Sequence, residues 1–576
     1  MSRSALLLGC SALFLTSAAP PPAPVAQARG AKQSRSPVHC MANPTIEYQA
    51  VQRATSKRVR NQPPAALYTP MPEPMPMMAP PPAMATPVAP MPQSVAGNAQ
   101  RTTPPYGSTE NTERYDGRPV ASILSVADRP VSTFSVDVDT GAYANVRRML
   151  GDGRTVPGEA VRTEEMINYF RYDYPRPDSR ETPFSVTTDV STTPWNPDTR
   201  LLRIGLRGYD VAASGRPRAN LVFLVDVSGS MDSDNKLPLV KKSLSLLADR
   251  VGPNDRVSIV AYSGTVQTVL DPTSSKAYIR QAIDCLYADG STAGGEAMKM
   301  AYSTARANYI EGGVNRILMA TDGDFNVGVS DNKALIEMVK RERDSGITLT
   351  TLGFGTGNYN EAMMEQVADA GNGNYAYIDS AFEAQKVLEE ELSATLVTIA
   401  KDVKVQVEFN PAQVKQYRLI GYENRALAEE DFANDAVDAG DIGAGHQVTA
   451  LYEIVPANAA GWLPERRYEA NRAAAPAGGS ELGFVKLRYK LPGQERSRLI
   501  ERAVPAAALQ AARAPQGDMA FAVAVAAFGQ KLRQDKYLGN YGYPQIAALA
   551  PRSDNYWRSE FVKLVGLAES GQRTAR

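Results

Sequence analysis

Histidine and cysteine are scarce in this chain. Its 576 residues contain two histidines, His39 and His446, and three cysteines. Histidine-based catalysis and histidine metal sites therefore have almost no material, and three cysteines cannot build a disulfide framework. An excess of charge is also absent, because lysine plus arginine and aspartate plus glutamate both number 62. This balance argues against nucleic-acid binding, which calls for a basic surface.

Long apolar runs are confined to the N-terminus. Arg3 and the apolar stretch 4–19 are typical of an export signal, and Ala26-Gln27-Ala28 offers a small-x-small cleavage site. Leu7-Leu8-Gly9-Cys10 also resembles a bacterial lipobox, so cleavage near Ala28, lipidation of Cys10 and an uncleaved anchor are alternatives. Elsewhere no segment reaches the ~18 apolar residues of a membrane helix. We expect export to the periplasm or cell surface, with membrane contact only through a lipid anchor on Cys10.

Composition and periodicity divide the chain into seven segments. Pro63–Pro92 alternates proline with methionine and alanine, which predicts a disordered tether because proline removes backbone donors and little can be buried. The predicted segments are a signal peptide at 1–28, the tether at 29–115, an N-terminal α+β segment at 116–180, the first part of a β domain at 181–215, an α/β domain at 216–398, the second part of the β domain at 399–510, and a C-terminal helical region at 511–576.

Residues 220–396 alternate predicted strands and helices. Leu221–Val225 reads as a buried strand, and the helix after it has one apolar face at helical spacing. Such alternation predicts a parallel sheet covered by helices on both faces. Because residues 184–210 and 402–490 read as β-strands, we predict a doubly wound, Rossmann-like α/β domain inserted into an all-β domain. Insertion is tolerated where the two chain ends lie close together.

Two local predictions concern residues outside the main motif. Asp139 or Thr140 is predicted to cap the helix Gly141–Leu150. A strand end followed by this cap explains Asp137 and Asp139 better than a metal site would. Cys285 lies on a predicted helix and is expected to be a buried structural thiol. Its only possible partner in the mature chain, Cys40, falls in the tether.

Five oxygen-bearing side chains follow or separate predicted elements of the α/β domain. Asp226, Ser228 and Ser230 come directly after the buried strand, Thr292 lies on a loop between two helices, and Asp322 ends another strand. The carboxyl ends of parallel strands meet at one sheet edge, where ligands collect. An oxygen-only set suits a hard cation, Mg²⁺ first, with Mn²⁺ or Ca²⁺ as alternatives. Taken singly, each motif could instead be a helix cap or a turn.

The pattern resembles the metal-ion-dependent adhesion site of von Willebrand factor type A (VWA) domains. The flanking stretches 130–140 and 164–170 look like the N-terminal segment of a group of exported bacterial VWA proteins, and 521–532, 536–540 and 561–565 look like their C-terminal segment. The resemblance therefore covers about 120–570. It implies a VWA fold for 220–396. It also implies that Ser228, Ser230 and Thr292 coordinate the ion directly, while Asp226 and Asp322 often act through water.

Asp226 and Asp322 could act on the ion directly or through water. Because the two serine hydroxyls and the threonine hydroxyl are neutral, they would leave the ion short of negatively charged direct ligands. It could accept a carboxylate from a partner, so we expect a non-enzymatic, Mg²⁺-dependent binding protein of the cell envelope whose unknown protein ligand offers an acidic side chain. A scaffold that needs no metal is the alternative. An enzyme is not expected, because Ser228 has no histidine near it in sequence and G-x-S-x-G and G-x-x-x-x-G-K-[ST] are absent.

Overall fold

The structure is a computed structural model that describes residues 36–41, 113–136, 139–177, 181–211, 215–292, 294–323, 332–391, 397–464 and 479–574. Its strands are β1 Leu124–Ser125, β2 Val131–Ser135, β3 Phe184–Thr193, β4 Asn196–Gly208, β5 Ala219–Asp226, β6 Arg256–Tyr262, β7 Val266–Thr273, β8 Val314–Thr321, β9 Thr348–Phe354, β10 Tyr375–Ile378, β11 Thr398–Phe409, β12 Val414–Ile420, β13 Ala426–Leu427, β14 Ile442–Gly443, β15 Gln447–Pro456, β16 Glu481–Lys490 and β17 Arg498–Pro505.

The α-helices alternate with strands in the middle of the chain and follow them at its C-terminal end. They are α1 Gly141–Gly151, α2 Thr163–Asn168, α3 Leu237–Ala248, α4 Lys276–Asp284, α5 Gly294–Ala307, α6 Asn332–Asp344, α7 Glu361–Ala370, α8 Ala381–Gln385, α9 Ala507–Ala511, α10 Gly517–Leu532, α11 Tyr543–Leu549 and α12 Tyr556–Thr574. Helix α8 continues as a π-helix over Lys386–Glu391.

The middle of the chain forms a sheet in the order β10-β9-β8-β5-β6-β7. All neighbours are parallel except β6 and β7. The chain moves outward from β5 through β6 to β7, then returns to β8 on the other side, so strand order reverses between β5 and β8. Apolar clusters cover both faces, one against α3 and α4 and the other against α5 and α7. The doubly wound α/β class predicted from the sequence is confirmed.

Two antiparallel sheets form a sandwich from strands that flank this α/β domain. One sheet has the order β1-β12-β15-β4-β3, and the other has the order β13-β2-β11-β16-β17 with β14 paired to β11. Residues Arg200–Arg207 of β4, before the α/β domain, pair with β15, after it. Leu202 and Ile204 of β4 share one core with Val405 and Val485 from the other sheet. The α/β domain is therefore inserted into a β domain, as predicted.

A third core joins the N-terminal and C-terminal helices. Phe170 lies edge-on against Phe521 of α10 and Phe561 of α12. Arg418 of β12, 1% exposed, pairs with Glu453 and with Asp535 beyond α10, which ties the helices to the sandwich. Among the described residues, no helix combines the length and apolar character needed to cross a bilayer.

The prediction of a side-chain cap at the start of α1 is wrong. Thr140 is the N-cap of α1 but makes no side-chain capping bond, and Asp139 instead accepts a hydrogen bond from Tyr375 N at 2.8 Å and pairs with Arg425 at 3.0 Å. The Asp139 carboxylate is therefore engaged in tertiary contacts and does not cap the helix. Asp137 lies outside the described residues.

Cys285 is not a free buried thiol, because it forms a disulfide with Cys40. Residues Pro37–Met41, predicted to lie in the tether, run along the edge of the α/β sheet. His39 N donates to Val269 O at 2.9 Å, and Asp271 N donates to Pro37 O at 2.9 Å. This pairing places Cys40 beside Cys285, and the rest of the tether up to residue 112 lies outside the described residues.

Candidate metal centre

Asp226 is the last residue of β5 and the centre of a hydrogen-bond cluster. Its Oδ1 accepts from the backbone N of Ser228 at 2.9 Å and from Ser228 Oγ at 2.7 Å. Its Oδ2 accepts from Thr321 Oγ1 at 2.9 Å and Tyr262 OH at 3.2 Å. Burial raises the pKa of Asp226 to about 6 and the charge of Asp322 adds to this, although the hydrogen bonds from Ser228 and Thr321 oppose the shift.

Ser230 connects this cluster to the end of β8. Its Oγ lies 3.2 Å from Ser228 Oγ and donates to Asp322 Oδ2 at 2.7 Å. Asp226 and Asp322 are both 0% exposed and Ser228 is 2% exposed, whereas Ser230 is exposed. The cluster therefore opens to solvent on the side of Ser230.

Backbone contacts bring the third loop to the same edge. Gly229 N donates to Gly290 O at 2.9 Å, and Asp289 N donates to Val227 O at 2.8 Å. A side chain at Gly229 would press on Gly290 O at 3.3 Å, so glycine permits the close approach of the two loops. Thr292 is 7% exposed on this loop. In the described part of the chain, its side chain makes no hydrogen bond to the other four predicted residues.

The donors fit a small divalent cation. Two ligands at right angles around Mg²⁺, each at about 2.1 Å, lie about 3.0 Å apart. The separation of 3.2 Å between the two serine hydroxyls is close to this value. Within the described ranges, no group of three His, Cys, Asp or Glu side chains could hold a metal. Serine hydroxyls would therefore have to complete any ligand set at Asp226 and Asp322.

Helix capping does not account for the serines. Ser228 precedes the short helical turn Gly229–Asp232 but makes no side-chain capping bond. Its hydroxyl points to Asp226 and Ser230 instead. The structure thus joins Asp226, Ser228, Ser230 and Asp322 in one hydrogen-bonded chain and brings the Thr292 loop beside it.

Sequence reasoning missed four residues of this centre. Lys236 Nζ lies 2.9 Å from Asp322 Oδ2 and 3.1 Å from Asn358 Oδ1. Thr321 and Tyr262 hold the second oxygen of Asp226. Thr321 precedes Asp322 and Tyr262 ends the strand after β5, so their positions at strand ends were a usable signal. A lysine at the start of an amphipathic helix gives no such signal, because lysines there are usually solvated.

Comparison with known proteins assigns the fold and the flanking regions. The family model of the von Willebrand factor type A domain matches residues 220–391. A von Willebrand factor model matches 109–203, and the model described as YfbK, C-terminal matches 394–570. The α/β insertion with its oxygen cluster is therefore a VWA domain, and the recognition of this family from the sequence is confirmed.

Among whole proteins, the chain is 45% identical over 487 residues to the uncharacterized protein YfbK of Escherichia coli K12, covering 82% of this chain and 84% of that protein. The chain belongs to the YfbK family of VWA proteins. It is also 33% identical over 187 residues to the protein sll0103 of Synechocystis, covering 32% of this chain and 43% of that protein.

Solved structures are less similar. A von Willebrand factor type A protein from Catenulispora acidiphila is 16% identical, with 69% of this chain and 91% of that chain covered and a TM-score of 0.38. BatB from Bacteroides thetaiotaomicron is 23% identical, with 31% of this chain and 98% of that chain covered and a TM-score of 0.27.

Proposed function

We propose that this protein is a non-enzymatic binding protein of the cell envelope that holds an acidic group of a protein partner at a Mg²⁺ ion in its VWA domain. One observation carries the proposal: Asp226, Ser228, Ser230 and Asp322 form a continuous chain of oxygens at the point where strand order reverses. In open α/β sheets, this is the place where ligands bind.

Each residue has a distinct part in such binding. Asp226 and Asp322 supply the buried negative charge, while the hydroxyls of Ser228, Ser230 and Thr292 supply neutral ligands. Mg²⁺, or Mn²⁺ or Ca²⁺ in its place, would attract a carboxylate oxygen of the partner. Because Ser230 is the exposed member of the cluster, a partner would approach on that side.

The contacts of Ser228 favour binding over nucleophilic catalysis. Its hydroxyl donates to the Asp226 carboxylate, so no histidine base is engaged with it. His39 pairs with Asp271 at the sheet edge, and His446 is buried beside the sandwich. Both histidines of the chain therefore lie in other parts of the fold.

The disulfide supports an exported location. Disulfides such as Cys40–Cys285 form and persist in oxidising compartments and are rare in the cytosol. Together with the signal-like N-terminus, this bond favours the periplasm or cell surface, either as a soluble protein or anchored by lipid at Cys10.

A metal-independent scaffold is the second candidate, and the contact between Lys236 and Asp322 favours it. The ammonium group already gives the buried carboxylate a cationic partner at 2.9 Å. A VWA domain whose centre is satisfied in this way could bind its partner through other surfaces.

The test is metal binding by calorimetry on wild-type protein and on Asp226→Asn. This substitution keeps the shape and one acceptor oxygen but removes a charge, so we expect Mg²⁺ affinity to fall at least about tenfold. Asp232→Asn, at an exposed carboxylate in the neighbouring turn, should bind like the wild type. Equal affinity in Asp226→Asn and the wild type would refute the site.

Partner capture from envelope extract separates the two candidates. Capture that requires Mg²⁺ and is lost with chelator and with Asp226→Asn supports the metal-dependent function. Capture that survives both treatments supports the scaffold.

A further inference from the structure

Lys236 is a buried cation within the candidate metal centre. It is 6% exposed, and its Nζ lies 2.9 Å from Asp322 Oδ2. The same carboxylate oxygen accepts the hydrogen bond from Ser230 Oγ at 2.7 Å. The ammonium group therefore sits on the ligand-facing atom of Asp322 and not on the back of the carboxylate.

The surroundings hold this lysine in place. Asn358 Oδ1 accepts from Nζ at 3.1 Å. Gly355, at φ +77°, leaves the space that the lysine stem fills, since any side chain there would collide with it. The loop that carries both residues is fixed from outside the VWA domain, because Gly357 N donates to Glu113 Oε1 at 3.1 Å. The position of Lys236 is thus prepared by the fold.

The charge of Lys236 changes the sum of the buried charges at the metal centre. The centre contains two fully buried carboxylates, Asp226 and Asp322, and one ammonium group, which pairs with Asp322. A bound divalent ion would bring the sum of these charges to one positive charge, and an anion from outside would bring it to zero. Without the lysine, the divalent ion alone would balance both carboxylates.

We propose that Lys236 makes metal binding and anion binding cooperative. It weakens the affinity for the metal alone and raises the affinity of the metal-loaded site for a carboxylate. This inference rests on the proposed function and adds its regulation: the site fills when cation and acidic ligand are both present. Thermodynamic linkage requires each to strengthen the other by the same factor, and such factors are commonly about 5–150.

Lys236 should act differently from a residue that only orients a metal ligand. Removing such an orienting residue lowers metal affinity by about 10–100-fold. Removing a competing cation raises it, so substitution of Lys236 must strengthen the binding of metal alone.

The experiment measures Mn²⁺ affinity by calorimetry on the full mature protein, with and without acetate, at matched ionic strength. We expect acetate to tighten Mn²⁺ binding by about tenfold in the wild type. Lys236→Met should bind Mn²⁺ about tenfold more tightly without acetate and show no effect of acetate. Lys242→Met, which removes an exposed lysine from helix α3, which begins directly after Lys236, should behave like the wild type.

The outcomes separate this inference from the proposed function. Mn²⁺ binding that is absent, or unaffected by Asp226→Asn, sinks the proposed function. Binding that depends on Asp226 but is equal or weaker in Lys236→Met overturns the role of Lys236 alone. The wild-type measurement needs no variant to fold: Mn²⁺ binding that acetate leaves unchanged also overturns the cooperativity.

Discussion

Glu361, the first residue of α7, carries a buried carboxyl group with few polar partners to offset the loss of solvent. It is 0% exposed, and neither side-chain oxygen has a hydrogen-bond partner within the described chain. Arg162 Nη2 is 3.9 Å away, but this arginine also pairs with Glu165 at 3.1 Å and with Glu365. Burial raises the pKa of Glu361 to about 8, Arg162 opposes this shift, and the charges of Glu365, Asp116 and Glu164 add to it.

This residue should make stability depend on pH. A carboxyl group whose pKa is higher in the folded state binds more protons there, so its contribution is complete below about pH 4.5 and is lost as pH rises through about 8. Glu361→Gln should remove this loss. We expect its free energy of unfolding to exceed that of the wild type at pH 8, with a difference that grows by at most about 1.4 kcal/mol per pH unit from pH 5.

Urea unfolding at several pH values measures the effect. Glu337→Gln, an exposed glutamate of α6, should follow the wild-type profile. Parallel pH profiles for Glu361→Gln and the wild type would show that Glu361 is ionised in the folded protein at neutral pH.

The five candidate ligands could be found from the sequence because each follows a strand or sits in a glycine-containing loop of recognisable pattern. Lys236 and Asn358 could not be found in this way. They are 122 positions apart and meet only because α3 and the loop after β9 pack at the same sheet edge. The predicted cap at Asp139 fails for the same reason, because its observed partners, Arg425 and Tyr375, are distant in sequence.

At the scale of elements, three kinds of contact hold the strand-like segment Pro37–Met41 on β7 and on the end of helix α4. These are its backbone hydrogen bonds, the His39–Asp271 pair and the disulfide to Cys285. The bond joins two cysteines that are 245 positions apart in the sequence. A disulfide that closes a long loop restricts the unfolded chain most, and disulfides typically stabilise the folded protein by about 2–4 kcal/mol.

Breaking the disulfide should therefore destabilise the VWA sheet edge. Cys40→Ser should lower the free energy of unfolding by about 2–4 kcal/mol and speed hydrogen exchange at Asp271 N, which donates to Pro37 O. Cys285→Ser and the double variant should lose the same amount of unfolding free energy, because all three variants lack the same disulfide. Peptide mapping without reductant should recover Cys40 linked to Cys285, and two free thiols there would contradict the pairing.

Periodicity predicted the strands and helices that have a clear buried face. The sequence pattern predicts a helix at about 332–344, and α6 spans Asn332–Asp344. It also predicts a strand at Val448–Val455, and β15 extends one residue further at each end. Strand β17 was missed, because Arg498–Pro505 is mostly exposed and lacks alternation. It pairs with β16 through backbone hydrogen bonds, which a side-chain pattern does not report.

For the whole molecule, the insertion of the VWA domain is the dominant feature. Strands from both sides of it build the sandwich, as in the pairing of β4 with β15 and of β2 with β11. The VWA domain is not isolated, however. Arg147 of α1 pairs with Asp379 and Glu383 of the VWA domain and with Glu560 of α12.

Excision of residues 220–396, with the ends joined by a short Gly/Ser linker, should leave a folded protein. We expect circular dichroism to retain both strand and helix signals, because the sandwich core and the helical core lie outside the excised part. Unfolding should occur at lower urea concentration than in the whole protein, since Arg147 loses Asp379 and Glu383. A soluble but unfolded product would show that the sandwich depends on its insert.

The sequence by itself determined the fold class, the order of elements in the VWA domain and the identity of the candidate ligands. These features follow from local periodicity and from polar residues at strand ends, which are properties of short stretches. Only the tertiary structure decided the Cys40–Cys285 bond, the partners of Asp139 and the placement of Lys236 on Asp322. Each of these depends on segments that are far apart in sequence, and packing brings them together to balance buried charge or complete a sheet edge.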